Sequence, residues 1–540
     1  MLTASAKRIG QAAAPIVVFV FLMCGMMWPQ VRHIGDSAVS HQDIYFNMWR
    51  LEWFAHALST SPFDLFNGNI FYPEPRTLAF SDAMLVQGAI AAPLIWLGTA
   101  PVLVHNLMLL GAIVLSAVAT FALVLYLTGS RGAGILAGTI FAFAPYRFEH
   151  IMHMELQWTM WIPLAFLALH RTIERPRIRH GLATGAAIAL QMLSSIYYGI
   201  FLATLLPVCA VLLQLGHSRA HFRRVMVALA AGAILAGALI GPYARPYLLA
   251  RDRVGERPDD QIRTYAARPA DYLVVPRENW LYGRWETRGE GERRLFPGVV
   301  TCLLAVAALF LRRPSRLIIV YVFAAVAAFE ASLGFRGYSY TFLHEHVSVF
   351  RGLRAPARLG IFVVFFLAVL AGFAYTFFAA ALRVRSRVIL LLALLSAVLL
   401  EDFTTLLLVP YPNTAPPVYR LLASQPRGVV AEFPMVRPGH NAKYAYLSIF
   451  HWKPLVNGYS GFSPPAFERR LQDLRRFPDP FSLRVLRRAD VRYVLVHKSE
   501  YGDEREQYEQ AVSTLDADAG VRKLGVFSDG EGDAVLYELR

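Results

Sequence analysis

The chain has 540 residues, of which 56% are hydrophobic, 17% charged and 13% aromatic. Soluble domains carry about 25% charged residues, so this composition is short of the groups that keep a globule in water, and it excludes a disordered chain, a collagen-like repeat and a disulfide-stapled mini-protein. Fifty-three Lys and Arg against 38 Asp and Glu give a net charge of +15. Those charges fall between long apolar runs, the pattern of a polytopic membrane protein.

The first run, Ala14 to Val31, follows Lys7 and Arg8 and is too long, with the wrong flanks, for a cleaved signal peptide. Further runs occupy roughly 101–127, 132–145, 156–170, 181–196, 198–215, 225–242, 297–311, 316–333, 359–382 and 388–409, for about 11 spans. The stretch Ala83 to Gly98 is also apolar, and charge decides its place. Short basic connectors, Arg171 to His180, Arg219 to Arg224, Arg312 to Arg316 and Arg383 to Arg387, belong on the cytoplasmic side. Counted from a cytoplasmic N-terminus, all four land inside only if 83–98 does not cross. It is expected to be an interfacial or re-entrant helix, with the C-terminus outside.

This sorting places 32–83, 146–155, 243–296, 334–357 and the tail on the outer side. Residues 1–409 read as a transmembrane domain whose first outer loop is 32–100, and 410–540 as a soluble α/β domain of β-like runs (Val429 to Phe433, Tyr493 to His497) between charged helices. Cys24, Cys209 and Cys302 all lie in apolar runs, so no disulfide framework is expected in the exported parts. No nucleotide-type Gly-rich loop is present, and the positive charge sets topology and meets anionic lipid without implying nucleic acid.

The first outer loop carries the strongest chemical signal. From Asp43 onward it has a helical period: Ile44, Met48, Leu51, Ala55 and Leu58 make one apolar stripe, and Asp43, Asn47 and Arg50 share a polar face. Trp49 and Trp53 suit the membrane interface. The reading is a helix on the membrane surface whose polar groups face a cavity. A simple helix-capping role for Asp43 is the competing explanation, since a carboxylate is favoured at a helix start.

A membrane helix, an outer loop whose acidic residue opens an interfacial helix (Asp43-Ile-Tyr45-Phe-Asn47), and a second interfacial helix (Gln87 to Gly98) resemble the GT-C superfamily of membrane glycosyltransferases, which includes the lipid A aminoarabinose transferase, the protein O-mannosyltransferases and the oligosaccharyltransferases. The likeness extends to two spans joined by Thr128 to Arg131, and then to Pro145 through Trp158. There Glu155 occupies the place of a second acidic residue often found at the start of the fourth span, with Glu149 as the alternative. The superfamily's acidic pair is absent here, because Asp36 and Asp43 are seven residues apart; either could be the base.

The resemblance implies an α-helical polytopic fold and transfer of a sugar from a polyprenyl-phosphate-linked donor to a hydroxyl on an extracytoplasmic glycan, lipid or protein, in a bacterial inner membrane. An alcohol attacking an anomeric carbon needs a general base. A departing phosphate needs positive charge around its oxygens. Asp43 is the first expectation for base and Asp36 the second, with Glu155 orienting the acceptor. Arg354 and Arg358, one helical turn apart, are expected to hold the phosphate, with Arg147, Asn47, Arg50 and His344 as further substrate contacts and Arg245 as another option. A divalent cation, Mg or Mn, could be held by Asp43, Glu155 and His153, with His150 and His346 nearby in sequence to other candidates. The loop from Asp252 to Asp260 reads as a solvated turn, and Leu295 to Gly298 as a helix start. Two rival readings are a lipid or glycan transporter or flippase, which would show related halves and discontinuous helices, and a non-catalytic scaffold for envelope polysaccharide assembly.

Overall fold

A backbone removed from water must satisfy its own N–H and C=O groups, and a helix does so within a single segment. Each of the eleven apolar runs accordingly carries a helix. The computed structural model describes residues 2–285, 291–310, 315–528 and 533–540, with side chains from Ala14 onward; Arg312 and Arg313, and the side chains of Lys7 and Arg8, lie outside the described residues. Among the described residues, four helical segments are long and apolar enough to cross a membrane: Pro101–Thr128, Ile196–Gln214, Arg219–Val254 and Pro356–Ala380. The remaining runs give shorter or more charged helices. Arg131–Phe143 has 13 residues and Val299–Leu309 has 11, because an apolar run counted on sequence also takes in the caps and turns at its ends. Leu85–Trp96 has 12 residues, about 18 Å at 1.5 Å per residue, which falls short of a hydrocarbon core of about 30 Å.

The chain divides into two compact units. One comprises Met1–His33, Asn106–Tyr243 and Glu256–Leu408. Its centre is Gly360–Ala380, packed by Arg131–Phe143, Val299–Leu309 and Arg316–Ser332; Phe365 meets the rings of Phe141 and Phe166 at 5.4 and 5.3 Å. Without a hydrophobic drive between helices in lipid, small residues allow close approach. Gly181 and Gly185 do this against Ala228 and Gly232: a Cβ on Gly185 would stand 1.9 Å from the Gly232 carbonyl oxygen. Val299–Leu309 begins just after Leu295 to Gly298, as the sequence predicts. Its first N–H groups, on Val299 and Val300, donate to the Glu401 carboxylate at 2.7 and 3.0 Å, a favourable place for negative charge.

The second unit comprises Ile34–His105, Ala244–Gly255 and Val409–Arg540. The tail forms a four-stranded sheet in which Val429–Phe433 runs parallel to Val491–His497, followed by antiparallel Asp533–Leu539 and Val521–Ser528. The free edge of Val429–Phe433 is covered. Val430 N–H donates to Pro454 O at 2.8 Å and Val456 N–H to Val430 O at 2.9 Å, while Phe71 and Tyr72 N–H donate to Asn457 O and Leu455 O, each at 2.9 Å. The first loop is therefore stitched to the tail. The expected division kept 32–100 with the spans and 410–540 as a domain by itself; composition separates apolar from polar segments but does not tell which polar segments pair.

Candidate functional site

Each unit holds one group of polar side chains drawn from the predicted residues. In the second unit, the helical period after Asp43 yields Gln42–Thr60, and His41 caps it: its Nδ1 accepts from Asp43 N–H at 3.1 Å. Asp43 is thus not the cap. Its Oδ1 accepts a short hydrogen bond from the Tyr459 hydroxyl, whose oxygen accepts from Gln42 Nε2 at 3.1 Å. The carboxylate is half-buried, and His41 Nδ1 lies 3.7 Å from Oδ2. Asp36 sits in an exposed turn, with Ser37 Oγ donating to it at 2.7 Å.

Asn47 and Arg50 depart from expectation. Both are buried: Arg50 donates to Asn47 Oδ1 and, at 2.8 Å, to Asp82 O, and its guanidinium lies 4.5 Å from the Phe46 ring centre. They close a packing network, because Gln42–Thr60 is buried on most of its circumference by Leu85–Trp96 and Pro438–Leu447 and does not lie open on a surface. The same helix holds a carboxyl that sequence reasoning passed over. Burial raises Glu52 from 4.5 to about 7, and its signal was a carboxylate set among Trp49, Leu51 and Trp53.

In the first unit, the turn before Gly360–Ala380 carries Arg354 and Arg358. Arg358 is 4% exposed, and its fork is taken by Glu292: Nε donates to Oε2 at 3.0 Å and Nη2 to Oε1 at 2.5 Å. Burial alone would raise the Glu292 pKa, but Arg358 and His150 beside it outweigh burial and hold it well below the usual range. His150, 3.9 Å from Glu292, is driven down to about 3 chiefly by burial and is neutral at pH 7. Arg354 is different. Its N–H donates to Tyr197 OH at 2.8 Å, and its guanidinium lies 5.4 Å from the Tyr265 ring centre with no hydrogen bond or ion pair among the described residues. Arg257, from the loop read as a solvated turn, is half-buried; burial lowers it to about 10, and Arg354 and Arg358 push the same way. The guanidiniums of Arg257, Arg354 and Arg358 are thus within Coulombic reach of one another, and Arg358 is neutralised by Glu292.

The other expected residues sit elsewhere in this unit. Arg147 is buried; its Nη1 donates to Thr159 Oγ1 at 2.6 Å and its Nη2 to Gln157 O at 2.9 Å, both in its own loop, while Nε has no hydrogen-bond partner among the described residues; burial lowers it to about 10. These bonds clasp 147–159 together. Glu155 is buried in the short helix Met154–Gln157, ahead of the helix that starts at Trp161, with His153 in its cap position. Glu149 pairs with Arg294 at 2.8 and 2.9 Å. His344 packs edge-on to Phe335, and His346 bonds Phe342 O at 2.9 Å. Arg245, in the second unit, is exposed on Arg219–Val254. Among the described residues, no three His, Cys, Asp or Glu side chains group as a metal ion would require. Tyr459, Glu292, Arg257 and Glu52 are the residues sequence reasoning missed.

No protein-family model matches the sequence, and no curated protein matches it. Among solved structures, the chain is similar to the archaeal oligosaccharyltransferase AglB from Archaeoglobus fulgidus, in complex with an inhibitory peptide and a dolichol-phosphate. The TM-score is 0.50 at 12% identity, over 98% of this chain and 74% of that one. It is also similar to ArnT from Cupriavidus metallidurans bound to undecaprenyl phosphate, with a TM-score of 0.48 at 12% identity over 98% of both chains. At 12% identity the likeness to AglB is one of fold: this chain and that membrane protein share their overall architecture.

Proposed function

We propose that this chain is a membrane glycosyltransferase that moves a sugar from a polyprenyl-phosphate-linked donor to a hydroxyl of an extracytoplasmic acceptor, an envelope glycan, lipid or protein. The observation that carries the reading is the Asp43 carboxylate, oriented by Tyr459 on the helix of the first outer loop, in a chain of GT-C fold. That AglB was solved with a dolichol-phosphate supports a lipid-linked donor. In this reading about 11 segments cross a bacterial inner membrane from a cytoplasmic N-terminus, and the tail is periplasmic.

The chemistry follows from the groups. Asp43 takes the proton of the acceptor hydroxyl as oxygen attacks the anomeric carbon, and the departing phosphate needs positive charge around its oxygens. Within the first unit, Arg354 is the residue proposed to meet a phosphate and Glu155 an acceptor, and Arg358 positions the turn that carries Arg354 through its bond to Glu292. Single displacement inverts the anomeric centre. Purified protein given polyprenyl-phosphate-sugar should lose about 100- to 10,000-fold in transfer rate as Asp43→Asn, while Asp36→Asn stays near wild type. Full transfer by Asp43→Asn would remove that carboxylate from the mechanism. Loss on adding EDTA, reversed by Mg or Mn, would add a carboxylate-held cation; undiminished transfer would leave the phosphate to the arginines.

A further inference from the structure

A cavity of about 370 Å³ lies at one end of the bundle, where the helices ending at Thr128, Glu174 and Gln214 meet the one starting at Arg316. It contains none of the residues assigned to transfer. Its walls are apolar, from Leu127, Leu213 and Leu317, and its rim is charged. Each rim group is set in a definite place. The exposed Glu174 carboxylate accepts from Tyr126 OH at 2.5 Å, which fixes one oxygen and leaves the other without a bond among the described residues. The face of the Tyr126 ring is covered by the Arg171 guanidinium, 5.5 Å from its centre. Arg316 lies over the turn at Gly216 (φ +82°), where a Cβ would stand 2.9 Å from its Nη2. It makes no hydrogen bond or ion pair among the described residues.

The geometry points to a phospholipid site at this end of the bundle, selective for a headgroup that pairs a phosphate with a primary ammonium, as in phosphatidylethanolamine. Arg316 takes the phosphate oxygens as a two-pronged donor, Glu174 accepts from the ammonium, and the glycerol and first acyl carbons run along the leucines. A purely anionic headgroup meets Glu174 as a like charge. A quaternary ammonium has no N–H to give that carboxylate, and the aromatic face that could hold it is occupied. The site draws only on the bundle and on the membrane setting, and stands or falls separately from the transfer reaction.

Native mass spectrometry of the full chain from micelles doped with equal phosphatidylethanolamine, phosphatidylglycerol and phosphatidylcholine tests it. Wild type should retain phosphatidylethanolamine about tenfold over either competitor, the size expected for one charge-assisted bond. Glu174→Gln should erase that preference, Glu174→Lys should turn it toward phosphatidylglycerol, and Arg316→Ala should lower retention of all three. Unchanged thermal melting in detergent shows that each variant has folded. Equal retention of the three lipids by wild type, or a phosphatidylethanolamine preference that persists in Glu174→Lys, would overturn the assignment.

Discussion

Two oxygens of one carboxylate have different neighbours at Asp43. Oδ1 carries the Tyr459 hydrogen bond, and Tyr459 is itself polarised by Gln42. That bond turns the Asp43 carboxylate in one direction. Tyr459→Phe removes the donor and keeps the ring that packs against Phe46 at 5.5 Å. Transfer should then fall about tenfold in kcat with thermal melting unchanged, the size of one lost orienting hydrogen bond. Full kcat in Tyr459→Phe would make Tyr459 a packing residue only. Glu52, nine residues along the same helix, makes a different prediction. Burial favours its neutral form in the folded state, so its contribution to stability is complete below pH 4.5 and is lost as pH rises through about 7. Glu52→Gln should therefore melt at a temperature less dependent on pH between 5 and 8, and at pH 8 should exceed wild type by about 2 kcal/mol, after discounting for partial exposure. Parallel melting curves for the two proteins would contradict this.

At the scale of elements, the turn before Gly360–Ala380 owes its position to Arg358 held by Glu292, which anchors the short helical turn Gly291–Arg293 against Pro356–Leu359. Removing one partner of a buried pair strands the other charge, at a cost of about 3–5 kcal/mol. Glu292→Gln should lower the unfolding free energy from a denaturant titration by that amount, and replacing both residues by Leu should recover most of it. A single variant as stable as wild type would mean that water reaches the Arg358 guanidinium. None of this pairing could be read from sequence: Glu292 lies in a run of alternating charges that looks like a solvated loop, 66 residues from its partner. Periodicity did find Gln42–Thr60 and most of its apolar stripe, since Ile44, Met48, Leu51 and Ala55 are all buried, while Leu58 near the helix end is exposed. It could not say that Asn47 and Arg50 are buried too, because a period marks which residues share a face and leaves open what packs on the polar one. Arg257 was missed for a related reason, since a mixed-charge turn reads as solvated until another arginine turn is seen beside it.

At the scale of the whole chain, the first loop and the tail depend on each other across more than 300 residues of sequence. Helix Gln42–Thr60 packs on Pro438–Leu447. Tyr411 OH donates to Val39 O at 2.8 Å, Trp452 stacks on His56 at 4.1 Å, and Asn69 Nδ2 reaches Ser448 Oγ at 3.0 Å. Composition drew a line near residue 409 because apolarity ends there, yet the fold joins what that line separates, as each part covers apolar surface and backbone donors the other leaves open. A chain ending at residue 409 should therefore fail locally. Its bundle keeps the contacts around Gly360–Ala380, while Gln42–Thr60, which carries Arg50, loses the packing of Pro438–Leu447, and Phe71 and Tyr72 lose the acceptors of their backbone N–H groups. Trypsin should cut the shortened chain at Arg50 or Arg76 at least tenfold faster than the full chain, since each 1.4 kcal/mol lost from local opening gives tenfold more open form. Cleavage within the bundle should be unchanged. Equal protection of Arg50 in both chains would show that the first loop folds without the tail, and would return the domain boundary to residue 409.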